Sequence, residues 1–125
     1  MMLDTNALSA WAEGDPALLR ILPKDRVWHL PVIVLGEFLY GIRRSRERPQ
    51  LDRWLEAVKE TCTLAVVDED TATHYADIRE ELRAAATPIP ENDLWIAALC
   101  RQHRLALASR DAHFDHVRTL KRAAW

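Results

Sequence analysis

The chain has 125 residues, 49% hydrophobic and 29% charged, with a formal net charge of −2. That length suits one domain able to bury a sizeable core without disulfide or metal staples, and the mild acidity excludes a protein whose whole surface grips nucleic acid. With no apolar run of about 18 residues and no charged-then-apolar leader, neither a membrane span nor export is expected, which leaves the cytoplasm as the expected location.

Met1 to Leu3 reads as a short first strand, Asp4-Thr5-Asn6 as the turn after it, and Ala7 to Ala12 as a helix. Asp15-Pro16 carries the cap-then-proline signature that opens another helix. Val27 to Leu30 is the second strand, and Pro31 starts a helix whose apolar stripe is Val32, Leu35, Leu39 and Ile42, with Glu37 off the centre of that stripe. Pro49 begins a further helix with Leu51, Trp54, Leu55 and Val58 at helical steps, and the run Thr63 to Val67 suits a strand buried on both faces. Asp68 caps a long helix to about Ala86. After a proline-bounded loop, Thr87 to Pro90, the segment Glu91 to His103 is helical, and Leu105 to Ala108 is the last strand the pattern supports. Strands alternating with helices predict an α/β sandwich with a mainly parallel sheet.

In such folds ligands bind beyond the carboxyl ends of the strands. Asp4 and Asp111 fall just past the first and last strands of this pattern, Glu37 lies in the helix after the second, and Asp93 is in the first turn of a helix, so all four can converge at one edge. Carboxylates gathered at the edge of a core must share protons or bind a cation. Mg²⁺ or Mn²⁺ suits such a set, because each takes oxygen ligands and keeps positions open for a substrate phosphate. The chemistry implied is metal-dependent hydrolysis of phosphodiesters. Singly, each acid has a plainer explanation: Asp4 and Asp93 as helix caps or first-turn dipole partners, Glu37 as a solvated helix position, Asp111 as a turn residue. Only the combination is specific.

Arg43, Arg44, Arg46 and Arg48, and separately Arg101, His103 and Arg104, either form a basic rim that holds a phosphate backbone or are solvated helix faces. Asp111-Ala-His-Phe-Asp115-His116 also looks like a metal cluster. Mg²⁺ rarely takes imidazole, however, and the spacing matches no zinc pattern, so His113 and His116 read as loop or surface residues and Asp115 as a candidate outer ligand. His29 and His74 read as satisfied structural histidines, and Cys62 and Cys100 as buried thiols. No Gly-x-Ser-x-Gly elbow, activated cysteine setting or Gly-rich phosphate loop is present.

Four strings follow one another in order: Leu-Asp-Thr-Asn-Ala-Leu at 3–8; Gly36-Glu37 with Gly41-Ile42-Arg43-Arg44; Asn92-Asp93-Leu-Trp-Ile-Ala-Ala; and Ala108-Ser-Arg-Asp111 followed by His-Phe-Asp115. Together, and nearly end to end, the chain resembles the PIN-domain ribonucleases, specifically the VapC-type toxins of bacterial and archaeal toxin–antitoxin pairs. The resemblance implies a PIN-like three-layer sandwich over residues 1–125, with a five-stranded, mainly parallel sheet and helices on both sides. It implies Asp4 and Asp93 as principal Mg²⁺ ligands, Mn²⁺ substituting, while Glu37 and Asp111 complete the pocket and orient the attacking water. Thr5, Asn6 and Ser109 would hold the carboxylates in place.

The same resemblance implies an endoribonuclease acting on RNA, a homodimer, and a cognate VapB-like antitoxin whose tail enters or covers the active site, with operator DNA reached only through the antitoxin. Two features depart from the family. Pro88-Ile-Pro90-Glu91 stands where a glycine often precedes the third motif, and the short amino terminus leaves Met1 to Leu3 to form the central strand. A second function class stays open: a catalytically weak PIN domain acting mainly as a partner in an antitoxin–DNA repressor complex. The complete set of four acids favours activity. A small metal-dependent phosphatase is disfavoured by the missing Asp-x-Asp after the first strand.

Overall fold

Strand β1 (Met2–Leu3) lies at the middle of the sheet in the computed structural model, which describes residues 1–24 and 27–125. Strand β2 (Trp28–Pro31) flanks it on one side with β3 (Cys62–Ala65) beyond, and β4 (Leu107–Ala108) flanks it on the other with β5 (Arg122–Ala123) beyond. Every pairing is parallel, with Met2 opposite His29 and Leu107, and Leu3 opposite Ala108.

Successive side chains on a strand point to opposite faces, so this short sheet feeds two cores. Leu3 and Ala108 pack with Ala7 and Ala10 of α1 (Thr5–Ala12) and Leu18 of α2 (Pro16–Ile21). Met2 and Leu107 join the larger core, closed by α3 (Val32–Gly41), α4 (Arg48–Thr61), α5 (Glu69–Ala84) and α6 (Glu91–His103) through Val34, Leu55, Ile78 and Ile96. Helices on both faces of a parallel sheet make the three-layer α/β sandwich that the alternation predicts. Its strand order, β3-β2-β1-β4-β5, has one topological consequence. The chain leaves β1 for β2 on one side and returns at β4 on the other, so the carboxyl ends of β1 and β4 open a crevice at the switch point.

Several helix starts follow directly from local chemistry. The Asp15 side chain accepts from Ala17 N at 2.8 Å with Pro16 at the first helical position. Asp68 and Thr71 exchange hydrogen bonds in a capping box at the start of α5. Helix α1 begins at Thr5, directly after Asp4, and not at Ala7.

Other expectations are corrected. The buried row of α3 is Val34, Phe38 and Ile42, while Val32 and Leu39 of the expected stripe are each 38% exposed. Both rows are regular helical spacings, and the direction in which the chain leaves Pro31 decides which one meets the sheet. The strand expected over Thr63 to Val67 is an edge strand ending at Ala65, so Thr63 and Leu64 face solvent and only Ala65 is buried. Cys100 is buried and Cys62 is half-buried; burial raises both thiol pKa values. Among the described residues no hydrogen-bond partner meets the buried His29 Nδ1; burial, followed by the nearby amino terminus, depresses the ring's pKa, and a backbone hydrogen bond at Val27 opposes the shift. Strand β5 was not legible as a strand, having two residues and no apolar run. Among the described residues no helix is long and apolar enough to cross a membrane.

Candidate functional site

Asp4 reaches the crevice because β1 ends there. Its backbone N donates to Ala108 O at 3.1 Å, and its side chain caps α1. The residue is 3% exposed, a costly place for charge, and its carboxylate is correspondingly well supplied with donors. Thr5 N donates to Oδ1 at 2.7 Å, and Ser109 Oγ and Asn6 Nδ2 donate to Oδ2 at 2.6 and 2.9 Å. Burial pushes the Asp4 pKa above its ordinary 3.8, the Ser109 and Thr5 hydrogen bonds oppose the rise, and the charges of Asp111 and Glu37 reinforce it. Cap and pocket acid are therefore one and the same side chain.

Ser109, fully buried, also accepts from Asp111 N at 3.0 Å. Asn6 spans the same two turns, donating to Asp111 Oδ2 at 3.2 Å and accepting from Arg110 N at 3.1 Å. Ser109→Ala is expected to cost about 1–3 kcal/mol, because it removes one buried donor and leaves Asp4 less satisfied. Denaturant melts measure the loss, and the Asp4 carboxyl resonance should titrate higher than in the wild type. Wild-type stability and an unmoved Asp4 titration would show that this hydroxyl does not hold the carboxylate.

Asp93 comes from the first turn of α6, whose cap position is Pro90, so it is no cap. Its side chain is mostly buried, and Nε2 of His113 lies 2.6 Å from its Oδ2. An ionised carboxylate only accepts, so against it that nitrogen carries the proton. Burial, then the charge of Asp4, raises the Asp93 pKa, and the His113 contact opposes the rise. Glu37 reaches in from α3, with Thr5 Oγ1 donating to Oε2 and Asn92 Nδ2 to Oε1 at 2.7 Å. The four acids selected from the sequence thus line one open cleft of about 490 Å³, together with Thr5, Asn6, Glu13 and Arg110.

Donor atoms of Asp93, Asp111 and His113 lie within 4.8 Å of one another, a grouping that can hold a metal ion. Mutually repelling carboxylates, two of them with raised pKa values, are relieved by a divalent cation, and an oxygen-rich set with one imidazole fits Mg²⁺ or, better, Mn²⁺. Asp4 already accepts three hydrogen bonds, which leaves about one of its four lone-pair positions for an ion.

His113 corrects the expectation of a surface loop. A short 3-10 helix, Ala112–His116, buries Phe114 in the larger core and turns His113 toward Asp93; His116 stays exposed. Asp115, the candidate outer ligand, is instead paired bidentately with Arg122 at 2.8 Å through both oxygens, which holds its pKa below 3.8. Arg122 also donates to Ser109 O at 3.1 Å, so this pair ties β5 to the end of β4.

Neither arginine cluster lines the acidic cleft. Arg101 pairs with Glu81 at 2.9 Å and, with Arg104 and Lys121, borders a cavity beside Leu105 and Ala106, at the opposite end of β4 from the acids. Arg43, Arg44, Arg46 and Arg48 do not line the cleft either; the cation that does, among the described residues, is Arg110. Asn92 and Arg110, each the immediate neighbour of one of the four acids in the chain, also reach the site, Asn92 through Glu37 and Arg110 on the cleft lining. Glu13 carries no spacing signal, and His113 shows one only within the Asp111–His116 string, whose spacing fits no zinc pattern. A larger cavity of about 760 Å³ lies along α5 and α6, but its carboxylates, Glu80 and Glu91, are ion-paired with Arg83 and Arg79, so it offers no comparable chemistry.

The PIN domain family matches residues 1–120. Ribonuclease VapC5 of Mycobacterium tuberculosis (strain ATCC 25618 / H37Rv) is 32% identical over 116 residues, covering 90% of this chain and 84% of that protein. The structure of VapBC-1 from nontypeable Haemophilus influenzae matches with a TM-score of 0.82 at 27% identity, over 99% of this chain and 96% of that one. The crystal structure of VapBC2 from Rickettsia felis bound to a DNA fragment from their promoter matches at 0.86, over 99% and 97% of the two chains; at 24% identity it supports the fold alone. Match over nearly the full length, a sheet in the order β3-β2-β1-β4-β5 and the four strings meeting at its switch point lead to one conclusion: this chain belongs to the PIN-domain family and, within it, to the VapC group.

Proposed function

We propose that this protein is a metal-dependent endoribonuclease, the toxin of a toxin–antitoxin pair, which hydrolyses RNA phosphodiester bonds in the cleft beyond β1 and β4. The observation that carries this reading is the convergence of Asp4 and Asp111, from just beyond β1 and β4, with Glu37 of α3 and Asp93 of α6 on one open cleft. Asp4 and Asp93 are the principal ligands for Mg²⁺, with Mn²⁺ substituting, and Asp111 and His113 lie close enough to Asp93 to complete the set.

Bound there, the ion supplies charge neutralisation at the phosphate and activation of water. The chain's own groups do the rest. Ser109, Asn6 and the Thr5 amide fix the Asp4 carboxylate, and Thr5 with Asn92 clamps both oxygens of Glu37 against rotation. Glu37 and Asp111, less buried than Asp4, orient the attacking water.

VapB-type antitoxin is the partner this reading assigns, since the matched Haemophilus influenzae structure is of a VapBC pair. A cleft with this much negative charge attracts a basic tail that covers it, and operator DNA is reached through the antitoxin. A cytoplasmic homodimer completes the proposal.

Purified protein is expected to cut RNA with Mg²⁺ or Mn²⁺, to stop in excess chelator, and to bind Ca²⁺ without cutting, because Ca²⁺ coordination is looser. Undiminished cleavage in chelator would sink the metal mechanism. Expression without an antitoxin should arrest growth; a folded chain that is harmless when overproduced would remove the toxin role.

A further inference from the structure

We propose that Arg110 grips a phosphate of the RNA strand at the mouth of the cleft, acting as a substrate-binding residue; the inference rests on the ribonuclease reading above. The electrostatics demand some such group. Asp4, Glu13, Glu37, Asp93 and Asp111 all line the cleft, and one divalent ion offsets only part of that charge. A polyanion entering it therefore meets net repulsion unless a fixed cation receives the backbone. Among the described residues, Arg110 is the cation on the lining.

The guanidinium is anchored rather than loose. Arg110 N donates to Asn6 Oδ1 at 3.1 Å, which ties the backbone to the turn that holds Asp4. Nη2 donates to Asp15 Oδ2 at 2.6 Å, and the guanidinium carbon stands 4.7 Å from the ring centroid of Trp125. Trp125 Nε1 donates to the same Asp15 oxygen at 3.3 Å, and Asp15 is itself held by capping α2. Among the described residues Arg110 thus ion-pairs with Asp15 and not with any of the four acids, so its charge is not already used on them. With a side chain 53% exposed and, among the described residues, one of five N–H donors engaged, the fork keeps donors for a phosphate and has lost much of its rotamer freedom in advance. Arginine recognises phosphate through paired donors, a geometry that a lysine does not reproduce.

The plainer role for these contacts is pinning Trp125 to α2, and the two roles predict different measurements. The probe is a fluorescein-labelled RNA hairpin, titrated by anisotropy at several salt concentrations against Asp93→Asn protein, which should bind without cutting. Adding Arg110→Ala is expected to weaken binding about tenfold and to reduce the slope of log affinity against log salt by roughly 0.7, one phosphate contact. Arg110→Lys should keep the slope, recover only part of the affinity and preserve the ion pair with Asp15, so it stands in if the alanine variant does not fold. With Asp93 intact, Arg110→Ala should raise KM more than it lowers kcat. Lys121→Ala, at the opposite end of β4, should change none of these.

A lowered melting temperature with unchanged affinity and salt slope would overturn the proposal in favour of the pinning role. An equal loss in Lys121→Ala would overturn it in favour of general charge. If the wild type cuts RNA and Arg110→Ala binds and cuts equally well, this inference alone falls; if the wild type neither binds nor cuts RNA, the ribonuclease reading falls and takes this one with it.

Discussion

Asp93→Asn is expected to abolish RNA cleavage, a loss of at least about 100-fold, while raising the melting temperature of the metal-free protein at neutral pH. Burial and the neighbouring Asp4 raise the Asp93 pKa above 3.8, which means the folded chain disfavours the ionised form. A group shifted this way contributes stability that is fully present below its unfolded value and lost as pH rises through its folded one. Asparagine has no such loss. The melting difference, variant minus wild type, should therefore be near zero below pH 3.8 and grow positive as pH rises through the folded value. Each kcal/mol of repulsion relieved should raise the melting temperature by roughly 3–6 °C for a chain of this size.

Asp15, Asp68, Glu80, Glu81 and Asp115 have lowered pKa values and run in the opposite sense, but both proteins share them, so they cancel in the difference. Adding Mg²⁺ should reverse the order by stabilising the wild type alone. A purely first-turn dipole role for Asp93 predicts the other sign, a loss of about 0.3–1 kcal/mol on neutralisation. Melting curves across pH, with and without Mg²⁺, beside a cleavage assay decide the matter; full activity in a folded variant would refute the ligand assignment.

Phe114→Ala is expected to cost about 3–5 kcal/mol, the usual range for emptying a fully buried phenylalanine site. Phe114 is 0% exposed in the larger core, and the bends on either side of it are closed by Phe114 N donating to Asp111 O at 3.3 Å and Val117 N to Phe114 O at 3.0 Å. It is the peg that keeps Asp111 and His113 on the cleft side. Phe114→Leu keeps most of the volume and should cost less than about 1.5 kcal/mol. Urea melts test both, and calorimetric Mn²⁺ titration of the leucine variant should give an affinity near that of the wild type. An alanine variant as stable as the wild type would show that the 3-10 helix is not held by this side chain.

What could be read from the residues in order was what a few neighbouring residues settle among themselves. Asp15 before Pro16 and Asp68 before Thr71 cap helices through hydrogen bonds spanning two or three residues, so the caps were visible as strings. Apolar runs alternating with helical periods implied a parallel sheet, and the four acids stood at strand and helix ends where such a sheet gathers its ligands. Residues brought together only by the complete fold carried no local sign. Phe38 and Leu39 are both regular positions on α3, and the sheet chose Phe38. Strand β3 reads like a core strand, and its place at the sheet edge exposes it. Strand β5 is defined by its backbone pairing with β4, not by any apolar run. His113 meets Asp93 across 20 residues of chain, and Arg110 meets Asp15 across 95. Their chemistry is a matter of long-range contact, which residue spacing does not encode and which tertiary packing alone supplies.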